Sequence, residues 1–176
     1  MLSKKWNARM LTVASTTVLG LGAASVIHAG TQTANLPVTA TVAANCAIST
    51  AAVAFGAYDP AVANAATDLL GTGTVNVTCT TGASTTVTLG QGGSANTGSS
   101  AAVPLRRMSD GGTNFLSYFL YSENTRTNVW GDTAPTGLAH TGTGSQVALT
   151  VYGKVPAAQN VPVASYGDTV VATVTF

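Results

Sequence analysis

Charge is what this chain has least of: only 7% of its 176 residues are Asp, Glu, Lys or Arg. A nucleic-acid binder needs clustered basic side chains to meet phosphates, and beyond the first ten residues Arg106-Arg107 is the one adjacent basic pair. That pair reads as a solvated strand end or loop. Histidine is equally scarce, with His28 and His140 only, so neither a zinc site nor a base-activated nucleophile finds enough partners. His140 lies in the Gly- and Thr-rich stretch LAHTGTG and reads as a solvated loop residue. Asp59, Asp68, Asp110, Glu123, Asp132 and Asp168 are scattered singly beside turns and read as turn and cap residues, not as a catalytic carboxylate pair. Gly90, Gly92 and Gly93 are not followed by Lys-Ser or Lys-Thr, so no phosphate loop is indicated. No enzyme activity, cofactor or metal is expected.

Long hydrophobic runs are also lacking, with one exception. Met10 to Ile27 is apolar, follows Lys4, Lys5 and Arg9, and ends at Val26-Ile27-His28-Ala29, the pattern of a signal peptide over residues 1–29 cut before Gly30. No second stretch reaches membrane-spanning length. Removing the leader leaves four basic against six acidic side chains, a formal charge of minus two, which again disfavours nucleic acid. Cys46 and Cys79 both lie in the exported part, without CxxC spacing, and point to one disulfide in an oxidising compartment. Closing that loop stabilises by roughly 3 to 4 kcal/mol on the chain-entropy model.

What the chain has is Gly, Thr, Ala, Ser and Val, which favour strands and turns over helices. Period-two alternation marks strands at TVNVTCT (74–80), STTVTLG (84–90), VALTVYGKV (147–155) and DTVVATVTF (168–176). NFLSYFLYS (114–122) is apolar on both faces, as expected of a covered strand. Turn-rich stretches at 90–100, 109–114 and 134–145 separate them, which together predicts an all-β antiparallel sandwich. Helical character is confined to residues 60–70, as a short turn or an irregular crossover. QTANLPVTATV (32–42) also alternates, with Leu36, Val38, Ala40 and Val42 on one face, but has no local partner. The strand ending at Phe176 likewise has an uncovered edge, a hazard that natural proteins normally manage.

Four segments then resemble a known family. VYGKVPAAQNVPVASYGDTVVATVTF (151–176) is similar to the C-terminal signature of the spore coat protein U domain, which includes major pilins of archaic, Csu-type chaperone-usher pili. FLSYFLYSENTRTNVWGD (115–132), GTGTVNVTCTTG (71–82) and ANCAIS (44–49) resemble its central strand with a Trp-Gly turn and its two cysteine segments, in the right order.

The resemblance implies an incomplete immunoglobulin-like sandwich, closed by a Cys46–Cys79 disulfide and completed by a strand from another subunit. It implies a donor extension at 30–43 (Leu36, Val38, Ala40, Val42) and a pilin domain at 44–176, whose acceptor groove includes Val170, Ala172, Val174 and Phe176 on the last strand. The implied partners are related pilin subunits, a periplasmic chaperone and an outer-membrane usher, and the implied product is a surface fibre for attachment and biofilm formation. Burying the four donor side chains would contribute on the order of 5 to 8 kcal/mol gross. Pro37 sits awkwardly in such a strand, because it cannot donate to a ladder. The alternatives are a spore-coat or surface-layer protein built on the same domain, and a monomeric carbohydrate-binding sandwich using Tyr118, Tyr121, Trp130 and Tyr152 as a platform.

Overall fold

The computed structural model describes residues 29–176, so the leader expected over 1–29 lies, apart from Ala29, outside the described residues. Eight strands follow in chain order: β1 (Cys46–Ala51), β2 (Leu69–Cys79), β3 (Ser84–Leu89), β4 (Arg106–Ser109), β5 (Phe115–Tyr121), β6 (Leu138–Thr141), β7 (Gln146–Val155) and β8 (Ala172–Thr175). Five form one antiparallel sheet in the order β1-β2-β7-β5-β4, and three form a second in the order β6-β3-β8. Among the described residues the helical content is a single 3-10 turn at Ala134–Thr136. Residues 60–70 hold turns and then the start of β2, so the irregular crossover is what forms there.

Alternation explains the core. Val75, Val77 and Cys79 of β2, Leu116, Tyr118 and Leu120 of β5, and Val151 and Val155 of β7 point inward and are buried, meeting Val87 and Leu89 of β3. Trp130 is fully buried, and its indole N–H donates to Val87 O at 2.8 Å. Glycine replaces these hydrophobes where the chain itself crosses the sheet. A Cβ on Gly73 or Gly153 would come within 2.7 Å of Val53, and one on Gly153 within 2.6 Å of the Phe55 ring. The backbone after β1 therefore lies directly on β2 and β7.

Two expected strands differ. Residues 168–171 form no strand, and past Leu89 the β3–β8 pairing continues only as the bond from Gly90 N–H to Val171 O at 2.9 Å. Residues 29–45 form neither helix nor strand, and Leu36, Val38 and Val42 are 85%, 87% and 82% exposed. A single extended segment has no ladder without a neighbour.

The Arg106-Arg107 pair is not solvated. Register pairs Arg106 with Tyr118 on the inward face of β4, leaving it 1% exposed. Its Nη2 donates to Leu89 O and Trp130 O, each at 2.7 Å, and Nε to Gly90 O at 2.8 Å. Desolvation lowers its pKa to about 10, so it stays charged at neutral pH. Arg107 points outward, 4.0 Å over the Phe115 ring. His140 is likewise no loop residue but a half-buried member of β6.

Candidate functional site: an open strand edge

The three-stranded sheet is too narrow to cover the five-stranded one. The uncovered strip lies between β8 and β1. Cys46, Ile48 and Thr50 of β1 pair with Cys79, Val77 and Val75 and so share their inward face. Every β1 residue from Ala47 to Ala51 is nonetheless exposed.

Hydrogen-bond polarity shows which groups this strip offers. Leu89 N–H donates to Gly131 O at 3.0 Å, away from β8, whereas the next N–H, of Gly90, donates to Val171 O at 2.9 Å. Successive strand residues direct their polar groups to alternate sides, so Thr86 and Thr88 are the β3 residues that face their partners Thr175 and Thr173. Ala172 and Val174 therefore turn their N–H and C=O to the outer edge of β8, where no strand among the described residues pairs with them. The same residues turn their side chains to the core. On the opposite side Thr80 N–H donates to Asn45 O at 3.0 Å, so Asn45 faces β2, and Cys46, Ile48 and Thr50 direct their backbone groups to the open edge of β1.

Two cavities of mixed polar and apolar lining lie along this strip. The first, about 560 Å³, is walled by Thr50–Val53 and Phe55 on one side and Tyr166–Val170 and Ala172 on the other, over a floor that includes Val75, Leu89, Tyr118 and Leu120. The second, about 590 Å³, continues it between residues 53–60 and 161–166. Numbers rise along one wall as they fall along the other, so the walls run antiparallel. Phe55 meets Tyr118 edge-on with ring centroids 6.2 Å apart, tying one wall to the floor.

A carboxylate anchors the opposite wall. Asp168 accepts from Gly93 N–H at 2.7 Å, from Thr169 N–H at 2.8 Å and from the Tyr118 hydroxyl at 2.7 Å. Gly92 must be glycine here: its φ is +83°, and a Cβ would run into the Asp168 carboxylate. Burial and then the bond to Asp168 raise the Tyr118 pKa, so the phenol is a permanent donor. Just before the anchor, Gly167 and Ser109 exchange backbone bonds of 2.8 and 2.9 Å, which holds this segment to β4.

Of the last-strand candidates, Val170 and Ala172 line the first cavity, Val174 packs on the same core face, and Phe176 is 54% exposed. Cys46 and Cys79 are disulfide-bonded, with Cα atoms 4.2 Å apart. Sequence reasoning missed the second wall, Thr50 to Phe55. Its only signal was a weak alternation through CAIST, diluted by small residues. The aromatic platform is not formed, since Tyr118, Tyr121 and Trp130 are buried and belong to the core. No group of three or more His, Cys, Asp or Glu that could hold a metal occurs among the described residues.

Comparison with known proteins agrees in fold. Residues 32–173 match the family model described as Spore Coat Protein U domain. Protein U of Myxococcus xanthus is 49% identical over 178 residues, spanning 97% of this chain and 99% of that protein. Among solved structures, the crystal structure of the CsuC-CsuE chaperone-tip adhesion subunit pre-assembly complex from archaic chaperone-usher Csu pili of Acinetobacter baumannii matches with a TM-score of 0.54 at 21% identity. The match covers 77% of this chain and 40% of that one.

Proposed function

The chain belongs to the spore coat protein U domain family, and on that premise we propose that it is a structural subunit that polymerises by donating residues 30–43 to the open edge of the next copy. The observation that carries the proposal is the pairing of unsatisfied and apolar groups on one strand. Ala172 and Val174 offer backbone donors and acceptors that no strand among the described residues pairs with, Ala172 lines the first cavity, and Leu36, Val38 and Val42 are an exposed apolar row of matching period. Strand addition satisfies both, with backbone bonds giving affinity and alternating side chains giving register.

Polarity decides which neighbour meets the awkward proline. In an antiparallel pair, residues that exchange bonds lie opposite each other and share a face. Donor residues with inward side chains, Leu36, Val38, Ala40 and Val42, would then bond the outward groups of β8. Pro37, Thr39 and Thr41 would turn theirs to the open edge of β1, so the missing N–H of Pro37 would cost no bond to β8 and would be felt on the β1 side. An antiparallel donor with Val38 near Val174 and Ala40 near Ala172 fits both strands.

In this proposal the chain is exported through the periplasm, where a chaperone holds the same edge with a strand of its own. An outer-membrane usher then exchanges that strand for the extension of the next subunit, and the product is a cell-surface fibre serving attachment and biofilm formation. Size-exclusion chromatography and electron microscopy of the exported chain, with and without residues 30–43, test it. Polymers that vanish on deletion support donation, and polymers that persist refute it.

A further inference from the structure

We propose that the outer face of the five-stranded sheet, around Arg107, Lys154 and Arg126, is a docking surface for an acidic polysaccharide. That side of β4, β5 and β7 faces away from the core, and docking there requires no donor strand.

The basic side chains are gathered, not scattered. Of the seven, Lys4, Lys5 and Arg9 precede residue 30 and Arg106 is buried, which leaves three. All three lie on this face, each over an aromatic ring. Alternation turns Arg107 of β4, Phe115 and Phe119 of β5, and Tyr152 and Lys154 of β7 outward, opposite to their buried neighbours. Arg107 stands 4.0 Å over Phe115, Arg126 5.6 Å over Tyr152 and Lys154 5.7 Å over Tyr121.

Neutral acceptors hold the two guanidinium groups. Arg107 donates to the Ser94 and Ala95 carbonyls at 3.1 and 3.2 Å, and Arg126 to those of Gly153 and Asn124 at 3.2 and 3.0 Å. Carbonyls fix these side chains without neutralising them. Lys154 has Asp68 at 3.6 Å, an exposed pair that water screens. Arg126 also holds a φ of +54°, rare for a residue with a side chain, on a turn where Glu123 accepts from Thr127 and Asn128 N–H at 2.7 Å each.

The carboxylates are engaged differently. Asp59, Asp68, Asp110, Glu123 and Asp168 each accept from a backbone N–H of their own chain, and Asp132 accepts from the Thr88 hydroxyl. A second copy therefore has no uncommitted carboxylate to set against the three cations, and the complementary anion must come from elsewhere. Arg107 is level with Ser117 and Lys154 with Phe119, two strands and two residues apart, or about 12 Å. Nucleic-acid phosphates are packed far more densely than that. A chain of sugar acids carries its charges at whole-ring intervals. The half-buried rings of Phe119 and Tyr152 beside the cations give its C–H faces a flat apolar surface, whereas Tyr121 is buried and only seats Lys154.

The test measures binding of the full exported chain to immobilised polygalacturonate by biolayer interferometry, with dextran as the neutral polymer and single-stranded DNA as the other polyanion. Polygalacturonate should bind at low ionic strength, more tightly than either comparator, and be released at about 1 M salt, where the Debye length is about 3 Å. Arg126→Gln and Lys154→Gln should each weaken binding about fivefold, and together about 25-fold. Lys154→Arg keeps the charge and should bind like the native chain. Where the double variant fails to fold, the comparison of Lys154→Gln with Lys154→Arg decides. No binding to polygalacturonate, binding that these substitutions leave unchanged, or equal binding to dextran or single-stranded DNA would each overturn the assignment.

Discussion

Ile48 and Val77 stand directly opposite each other in the β1–β2 ladder and face the same side of the sheet, yet Val77 is fully buried and Ile48 is 37% exposed. The difference marks where the second sheet runs out. Substitution at the two positions should therefore have unlike effects. Val77→Ala removes a core side chain and should cost the subunit about 2 to 3 kcal/mol in denaturant unfolding. Ile48→Ala should leave the open subunit within about 1 kcal/mol of its original stability and act on assembly, lowering the guanidinium concentration at which fibres dissociate. Equal effects of both substitutions on the free subunit would show that the strip beside β1 is not a vacancy.

A second prediction concerns Arg106. Its fork gathers the carbonyls of Leu89, Gly90 and Trp130, at the end of the strand that carries β8. Arg106→Met fills similar space but leaves three carbonyls without a donor, and should cost roughly 3 kcal/mol or more, read from urea unfolding. Arg106→Lys should recover only part of the loss, because an ammonium cannot reproduce the planar fork.

How far the sequence foretold this site depends on what each strand packs against. β2, β3, β5 and β7 are long, alternate cleanly and sit inside the sandwich, so their periodicity reports their burial. β4 and β6 have four residues each, β4 running into the turn-rich stretch 109–114 and β6 lying inside 134–145, so the pattern is too short to register. Arg106 was misread because charge normally signals solvent, whereas here three carbonyls accept from its Nε and Nη2 in the core while Nη1 is buried without a partner. The apolar face of residues 36–42 was legible because the segment alternates cleanly, and Leu36, Val38 and Val42 remain exposed. The wall from Thr50 to Phe55 was not, since Gly73 and Gly153 support it from below and glycine carries no hydrophobic signal.

Alkaline pH should loosen the opposite wall, Tyr166–Val170, through Tyr118 and its bond to Asp168. Its folded-state pKa is raised, by burial first and then by its bond to Asp168. A group whose pKa is higher when folded contributes stability that is complete below its unfolded value, about 10 for tyrosine, and is lost as pH rises above it. Unfolding free energy should fall with pH above about 10 in the native chain, and Tyr118→Phe should flatten that slope while lowering stability at neutral pH by about 1.5 to 3 kcal/mol for a bond to a charged acceptor. A slope unchanged by the substitution would assign the effect to the other tyrosines.

The disulfide gives the last prediction. Cys46 opens β1, Cys79 closes β2, and Asn45 and Thr80 continue the ladder beyond them. Apart from its ladder with β2, β1 has little to hold it, since its inward Ile48 and Thr50 are exposed. The crosslink therefore does two jobs: it shortens the unfolded chain by a loop of 33 residues' separation, and it ties the exposed start of β1 to β2. Replacing both cysteines with alanine should lower unfolding free energy by roughly 3 to 4 kcal/mol through the first effect. Through the second, amide exchange should speed up in residues 46–51 before it does in β2, and fibres should form more slowly than the loss of stability alone predicts. Uniform acceleration across β1 and β2, with assembly falling only in step with stability, would reduce the disulfide to a constraint on the unfolded state.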